Sequence, residues 1–155
     1  MFTCEIVCLK LIKRLIILKG LICTVLHKFL CDKPAFPDSP AFEQEIKAVF
    51  AQYSNYTNNI VAPGRWDARD DFTVVVQPMF EQFKLQYTPD GKVDLSYFAP
   101  DCFHFSAKGH ATGAIGIWNN MLQPVGGKSN TITPGDKIAC PTKEHPYLFT
   151  SKNSK

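Results

Sequence analysis

The run Phe72-Thr73-Val74-Val75-Val76-Gln77 constrains the fold more than any other feature of the chain. It is β-branched and apolar at both odd and even positions, so neither face would tolerate water. Strands of that kind lie inside parallel sheets, with helices covering both sides. Pro78 ends the run. The flanking sequence supplies helices of the required type. Pro34, Pro37 and Pro40 make an extended entry, and Ser39 is placed to cap a helix that has Pro40 at its first position. Phe42, Ile46, Val49, Phe50 and Tyr53 then recur at helical spacing opposite Glu43, Gln44, Glu45 and Lys47, and the helix is predicted to end between Asn55 and Asn59. A second helix is predicted from a Ser106 cap to about Leu122, burying Ala111, Ala114, Ile115, Trp118, Met121 and Leu122. Gly109, Gly113 and Gly116 would let another stretch of backbone approach it closely. Turns fall at Pro63-Gly64 and at Pro89-Asp90-Gly91, the latter before a short extended segment ending at Tyr97-Phe98. Pro124 and Gly126-Gly127 open an irregular tail. The expected class is α/β.

A chain of 155 residues, 45% hydrophobic and 20% charged, suits one globular domain with a real core. The net charge of +3 is owed partly to Lys10, Lys13, Arg14 and Lys19, which leaves no broad basic stripe for nucleic acid. Residues 1–30 are apolar but broken by cations every few positions, and Lys19 divides the best apolar stretch, Leu15 to Leu26. A signal or signal-anchor, an amphipathic surface helix and a start from an incomplete reading frame are three readings of this segment. Domain organisation is therefore residues 1–30 as a separate apolar and cationic segment and 31–155 as the folded part.

The six cysteines fall into Cys4, Cys8, Cys23 and Cys31 near the start and Cys102 and Cys140 downstream, with no Cys-x-x-Cys pair, so a structural zinc site is not expected. A Cys102–Cys140 disulfide is expected instead. It would contribute roughly 3 to 4 kcal/mol by loop-closure entropy and imply an oxidising compartment. Asn55-Tyr56-Thr57 is an N-glycosylation sequon, which assigns Asn55 as a candidate acceptor.

Chemistry is concentrated in Asp101-Cys102-Phe103-His104. A carboxylate three residues before a histidine, on a tight loop, can hold one ring nitrogen and leave proton exchange to the other, as a general base requires. The same spacing also serves as a surface or capping pair. A metal reading would add His110, but six residues across a helix start point the two rings in different directions. His110 is expected to pack beside the helix or to cap it. No metal and no cofactor is expected.

The stretches from Arg65 to Phe80, Phe98 to His110 and Ala114 to Gly126 resemble the C-terminal part of the phospholipase B group of GDSL, or SGNH, lipases and esterases, with similarity over about residues 31 to 153. That resemblance implies a three-layer sandwich of parallel sheet and helices, incomplete at its N-terminal half. It makes Asp101 and His104 two members of a Ser-His-Asp triad and supports the Cys102–Cys140 pairing. Its implied chemistry is acyl-ester hydrolysis, with phospholipids, lysophospholipids or related acyl esters as partners, a membrane surface nearby, and an extracellular or plasma-membrane location through the secretory pathway. The group's Gly-Asp-Ser nucleophile block and its oxyanion-hole Gly and Asn blocks are absent from this sequence. Asp38-Ser39-Pro40 is the one local echo, and Ser39 reads as a helix cap. The chain is accordingly expected to be catalytically silent by itself. Two further readings are a lipid-surface or partner-binding remnant using residues 1–30, and a truncated product that exposes Phe72 to Val76.

Overall fold

The computed structural model describes residues 39–101 and 104–154. The expectations for residues 1–30, for Pro34 and Pro37, and for Cys31 and Cys102 lie outside the described residues. Among the described residues the regular elements in order are α1 (Pro40–Val61), a 3-10 helix (Leu95–Tyr97) and α2 (Ala107–Met121).

No β-strand occurs among the described residues, whose only ladder pairings are two isolated antiparallel bridges, Tyr87 with Val93 and Phe98 with Phe105. This overturns the expected parallel-sheet sandwich. The physical reason lies in the partner rather than in the run. Phe72–Gln77 is indeed drawn out without turns, but β-branched residues favour only an extended backbone, and a strand exists only where another stretch pairs with it. The described residues contain no second such run.

Helix α1 begins where its sequence directs. The Ser39 hydroxyl accepts a hydrogen bond from the Phe42 N–H at 3.2 Å, and the Ser39 carbonyl accepts from Glu43 N–H at 3.1 Å. The helix continues to Val61, a little past the expected end, and turns off through Gly64, whose φ of 66° suits the residue without a Cβ. Of the predicted apolar stripe only Phe50 is buried; Val49 and Tyr53 are exposed.

The chain forms two compact units, Met1–Tyr53 with Leu85–His110, and Ser54–Lys84 with Ala111–Lys155. In the first, Val93 and Phe98 join Phe50 as buried apolar residues. The turn predicted at Pro89-Asp90-Gly91 is present: Thr88 N–H donates to Lys92 O, Gly91 N–H to Thr88 O, and Tyr87 and Val93 bridge above it. The segment beyond is wound into the 3-10 helix rather than extended. Asp94 caps it by accepting from the Ser96 N–H at 3.0 Å and the Ser96 hydroxyl at 2.6 Å.

In the second unit, Met79 and Ile132 are buried, and the most enclosed side chain is Asn120, 1% exposed. Its amide donates to Gln123 Oε1 at 3.1 Å and to Ser129 O at 2.8 Å. Lys128 Nζ donates to the carbonyls of Asn120 and Gln123, both at 2.7 Å, which satisfies acceptors left over at the end of α2; burial pushes its ammonium below the ordinary lysine value. The tail is held to α2 by side chains in place of a ladder. Trp118 Nε1–H donates to Ala139 O at 2.7 Å, and Asn119 exchanges two bonds with Lys137 O and Ala139 N–H. The expected burial of Ala111 and Ala114 is not found, since both are exposed.

Candidate functional site

The Asp101–His104 pair sits at the tip of a loop whose stem is firmly closed. Phe98 and Phe105 form an antiparallel bridge with their rings 6.0 Å apart, and Ala99 N–H donates to His104 O at 2.8 Å. Immediately below, Ser106 N–H donates to Tyr97 O at 3.0 Å, and the Ser106 hydroxyl donates to Ser96 O at 2.5 Å. The same hydroxyl accepts from Gly109 N–H at 3.2 Å, so Ser106 is the N-cap of α2 as its position in the sequence implied. Loop and helix are thus joined through one serine.

Both carboxylate oxygens of Asp101 engage His104. Oδ1 accepts from the His104 backbone N–H at 3.0 Å, and Oδ2 lies 2.6 Å from Nδ1. An ionised carboxylate only accepts, so Nδ1 carries the proton and any exchange with another molecule falls to Nε2. The imidazole is 66% exposed and Asp101 is 35% exposed, so the ring is reachable from solvent. This is the placement expected of the two residues from their spacing, and the arrangement can accept and return a proton. His110 lies apart in role: its ring meets that of Phe105 edge-on, at 83° and 6.0 Å.

The expected disulfide is not formed. Cys140 is a free, exposed thiol, while Cys102 is outside the described residues. Cys140 belongs to the tail that Trp118 and Asn119 already anchor at positions 137 and 139, so side-chain hydrogen bonds do the tethering that a cross-link was expected to do. Asn55 lies on the exposed part of α1. Among the described residues no helix is long and apolar enough to cross a membrane, and no group of three or more His, Cys, Asp or Glu side chains is placed to hold a metal ion.

One polar cluster was not anticipated. Lys108 Nζ donates to Ser96 Oγ at 2.7 Å and to Asp94 Oδ2 at 3.1 Å while lying 4.1 Å from the Tyr97 ring centre. The Ser96 hydroxyl and N–H, and then Lys108, hold the Asp94 carboxyl below its usual range; Asp94 in turn raises Lys108. The Asp-x-Ser spacing is the only signal in the sequence that could have indicated it, as an Asx turn.

No family model matches the sequence, and no solved structure matches it. The absence of a sheet among the described residues corrects the expected membership of the GDSL or SGNH group. The ester-hydrolase assignment rested on that fold and falls with it. Similarity to whole proteins is nevertheless substantial. "Phospholipase B1, membrane-associated" of Mus musculus is 51% identical over 104 residues, and the protein of the same name from Rattus norvegicus is 50% identical over 105. The Homo sapiens protein is 48% identical over 105 residues. Each match takes in 66% of this chain, and the chain spans about 7% of the length of these curated relatives, so what it is similar to is one short stretch of phospholipase B1.

Proposed function

We propose that the working element of this chain is a carboxylate-oriented histidine that moves a proton, with His104 as acceptor and donor and Asp101 as its positioning partner. The observation that carries this reading is the double engagement of His104 by Asp101, at 2.6 Å to Nδ1 and 3.0 Å to the backbone N–H, on a ring that remains 66% exposed. Proton transfer from a hydroxyl or a water to Nε2 leaves an imidazolium whose charge faces the Asp101 carboxylate; return of the proton to an oxygen restores the starting state. The partner we propose is a phospholipid, lysophospholipid or related acyl ester at a membrane surface. The relatives' name, a membrane-associated phospholipase, supports the phospholipid and the membrane surface, and it enters through similarity over 104 or 105 residues. An extracellular or plasma-membrane location is proposed on the same basis, and the exposed sequon at Asn55 is compatible with it.

A structural reading has its own support, because the Asp101 Oδ1 bond to the His104 N–H also closes the loop. The two are separated by nitrogen-resolved NMR of the imidazole. Proton transfer requires His104 to be Nδ1-protonated at neutral pH and to change tautomer population in Asp101→Asn. An Nε2-protonated His104, or a tautomer population unchanged in Asp101→Asn, would leave only the loop-closing role.

A further inference from the structure

Asp101 and His104 hang on two legs of chain, residues 94–99 and 104–108, that both belong to the first unit. Among the described residues, links join these legs from foot to tip. At the foot, Lys108 Nζ donates to Asp94 Oδ2 at 3.1 Å and to Ser96 Oγ at 2.7 Å, over the face of Tyr97. Above it the Ser106 hydroxyl donates to Ser96 O and the Ser106 N–H to Tyr97 O; then Phe98 bridges Phe105, and Ala99 N–H donates to His104 O. The topmost link is the Asp101–His104 contact itself.

Lys108 is poorly placed for the helix it belongs to. It stands in the first turn of α2, where the field of a helix opposes a cation, and that turn holds no acidic residue. Its charge is met from the other leg by Asp94, the more shielded of the two. Ser96 extends the link, since its hydroxyl donates to Asp94 Oδ1 at 2.6 Å while its carbonyl accepts from Ser106, the cap of α2. Gly109, having no Cβ, leaves room for the Tyr97 carbonyl against the helix. Lys108 therefore joins the legs at the expense of its own helix.

We propose that Lys108 is a positioning residue for His104: by fixing the 94–99 leg against the start of α2, it sets the distance at which Asp101 meets the imidazole and so holds the proton on Nδ1. This rests on the proton-moving reading of His104 given above. The step from foot to tip is mechanical. Asp101 and His104 stand on opposite legs, so a slip of about 1 Å between the legs carries their 2.6 Å contact out of hydrogen-bond reach.

The test is nitrogen-resolved NMR of the His104 imidazole in the intact chain, with a thermal melt of each variant. Lys108→Met should raise the ratio of Nε2-protonated to Nδ1-protonated ring about threefold or more. Lys108→Arg, which can still donate to Asp94 and stack on Tyr97, should keep the parent ratio. Asn120→Ala, which loosens the second unit, should lower the melting temperature and leave the ratio alone. A parent protonated at Nδ1 whose ratio is unchanged in Lys108→Met overturns the positioning role and spares the proton-moving reading; a parent protonated at Nε2 overturns both. A shift in Asn120→Ala as large as that in Lys108→Met also overturns the proposal, because any loss of stability would then act in the same way, as does a Lys108→Arg ratio equal to that of Lys108→Met. Should Lys108→Met fail to fold, Asp94→Asn decides by itself: its amide can still accept from Ser96 without the charge, and the ratio must rise.

Discussion

Asp101 makes two kinds of bond to one residue, and their removal should be felt differently. In Asp101→Asn the amide can still accept from the His104 N–H, whereas the ionic hold on Nδ1 is gone. Because the imidazole is 66% exposed, the expected stability loss is about 1 kcal/mol or less, while the tautomer population of His104 shifts clearly. Denaturant titration and imidazole NMR on the same variant measure the two effects. Asn120 is the opposite case, a polar residue with 1% exposure whose Nδ2 serves Gln123 and Ser129. Asn120→Ala leaves those acceptors unserved in a closed space and should cost about 1 to 3 kcal/mol by urea denaturation. The contact of Asp101 with His104 follows from their spacing, which leaves a proton-moving role and a capping role equally open. The burial of Asn120 was not readable, because an asparagine in an amphipathic helix pattern is assigned to the wet face unless its partners, here nine residues downstream at Ser129, are already known.

At the scale of elements, the local signals were reliable and the non-local ones were not. The caps at Ser39 and Ser106 and the turn at Gly91 depend on neighbours within four residues, and each is where the sequence put it. The glycines of α2 divide into two kinds. A Cβ at Gly109 would collide with the Tyr97 carbonyl oxygen and come within 3.0 Å of Phe105 Cβ, whereas at Gly113 it would meet only Phe80 Cζ at 3.7 Å. Gly109→Ala should therefore lower stability by about 3 kcal/mol, and Gly113→Ala should raise it by up to about 1 kcal/mol through helix propensity; thermal melts of the pair provide the comparison. The 3-10 helix carries a pH dependence. With its folded pKa lowered by Ser96 and Lys108, Asp94 contributes stability that is present above its unfolded value of about 3.9 and is lost as pH falls through the lower folded value. Between about pH 5 and pH 2, Asp94→Asn should show a flatter decline of melting temperature than the parent chain.

For the whole molecule, the α/β expectation failed because a sheet is a property of several segments and the described residues contain one such run. Phe72–Gln77 has the composition of a covered strand, yet the described residues give it neither a neighbouring strand nor a layer of helices on each side. The resemblance of Arg65–Phe80 and Phe98–His110 to a known group pointed to real relatives, but 7% of their length does not carry a fold with it. What does not depend on the architecture is the Asp101–His104 contact, because the two residues are brought together by three residues of chain and one bridge, with no demand on a sheet.

That bridge has a further consequence. Since Phe98 and Phe105 already lie side by side, the residues between them form a detour whose entrance and exit coincide, and α2 starts from the exit without regard to what the detour contains. Such a tip can be rewritten, shortened or transplanted onto another scaffold while the framework beneath it stays in place, so reactivity and architecture in this chain are free to change along separate lines.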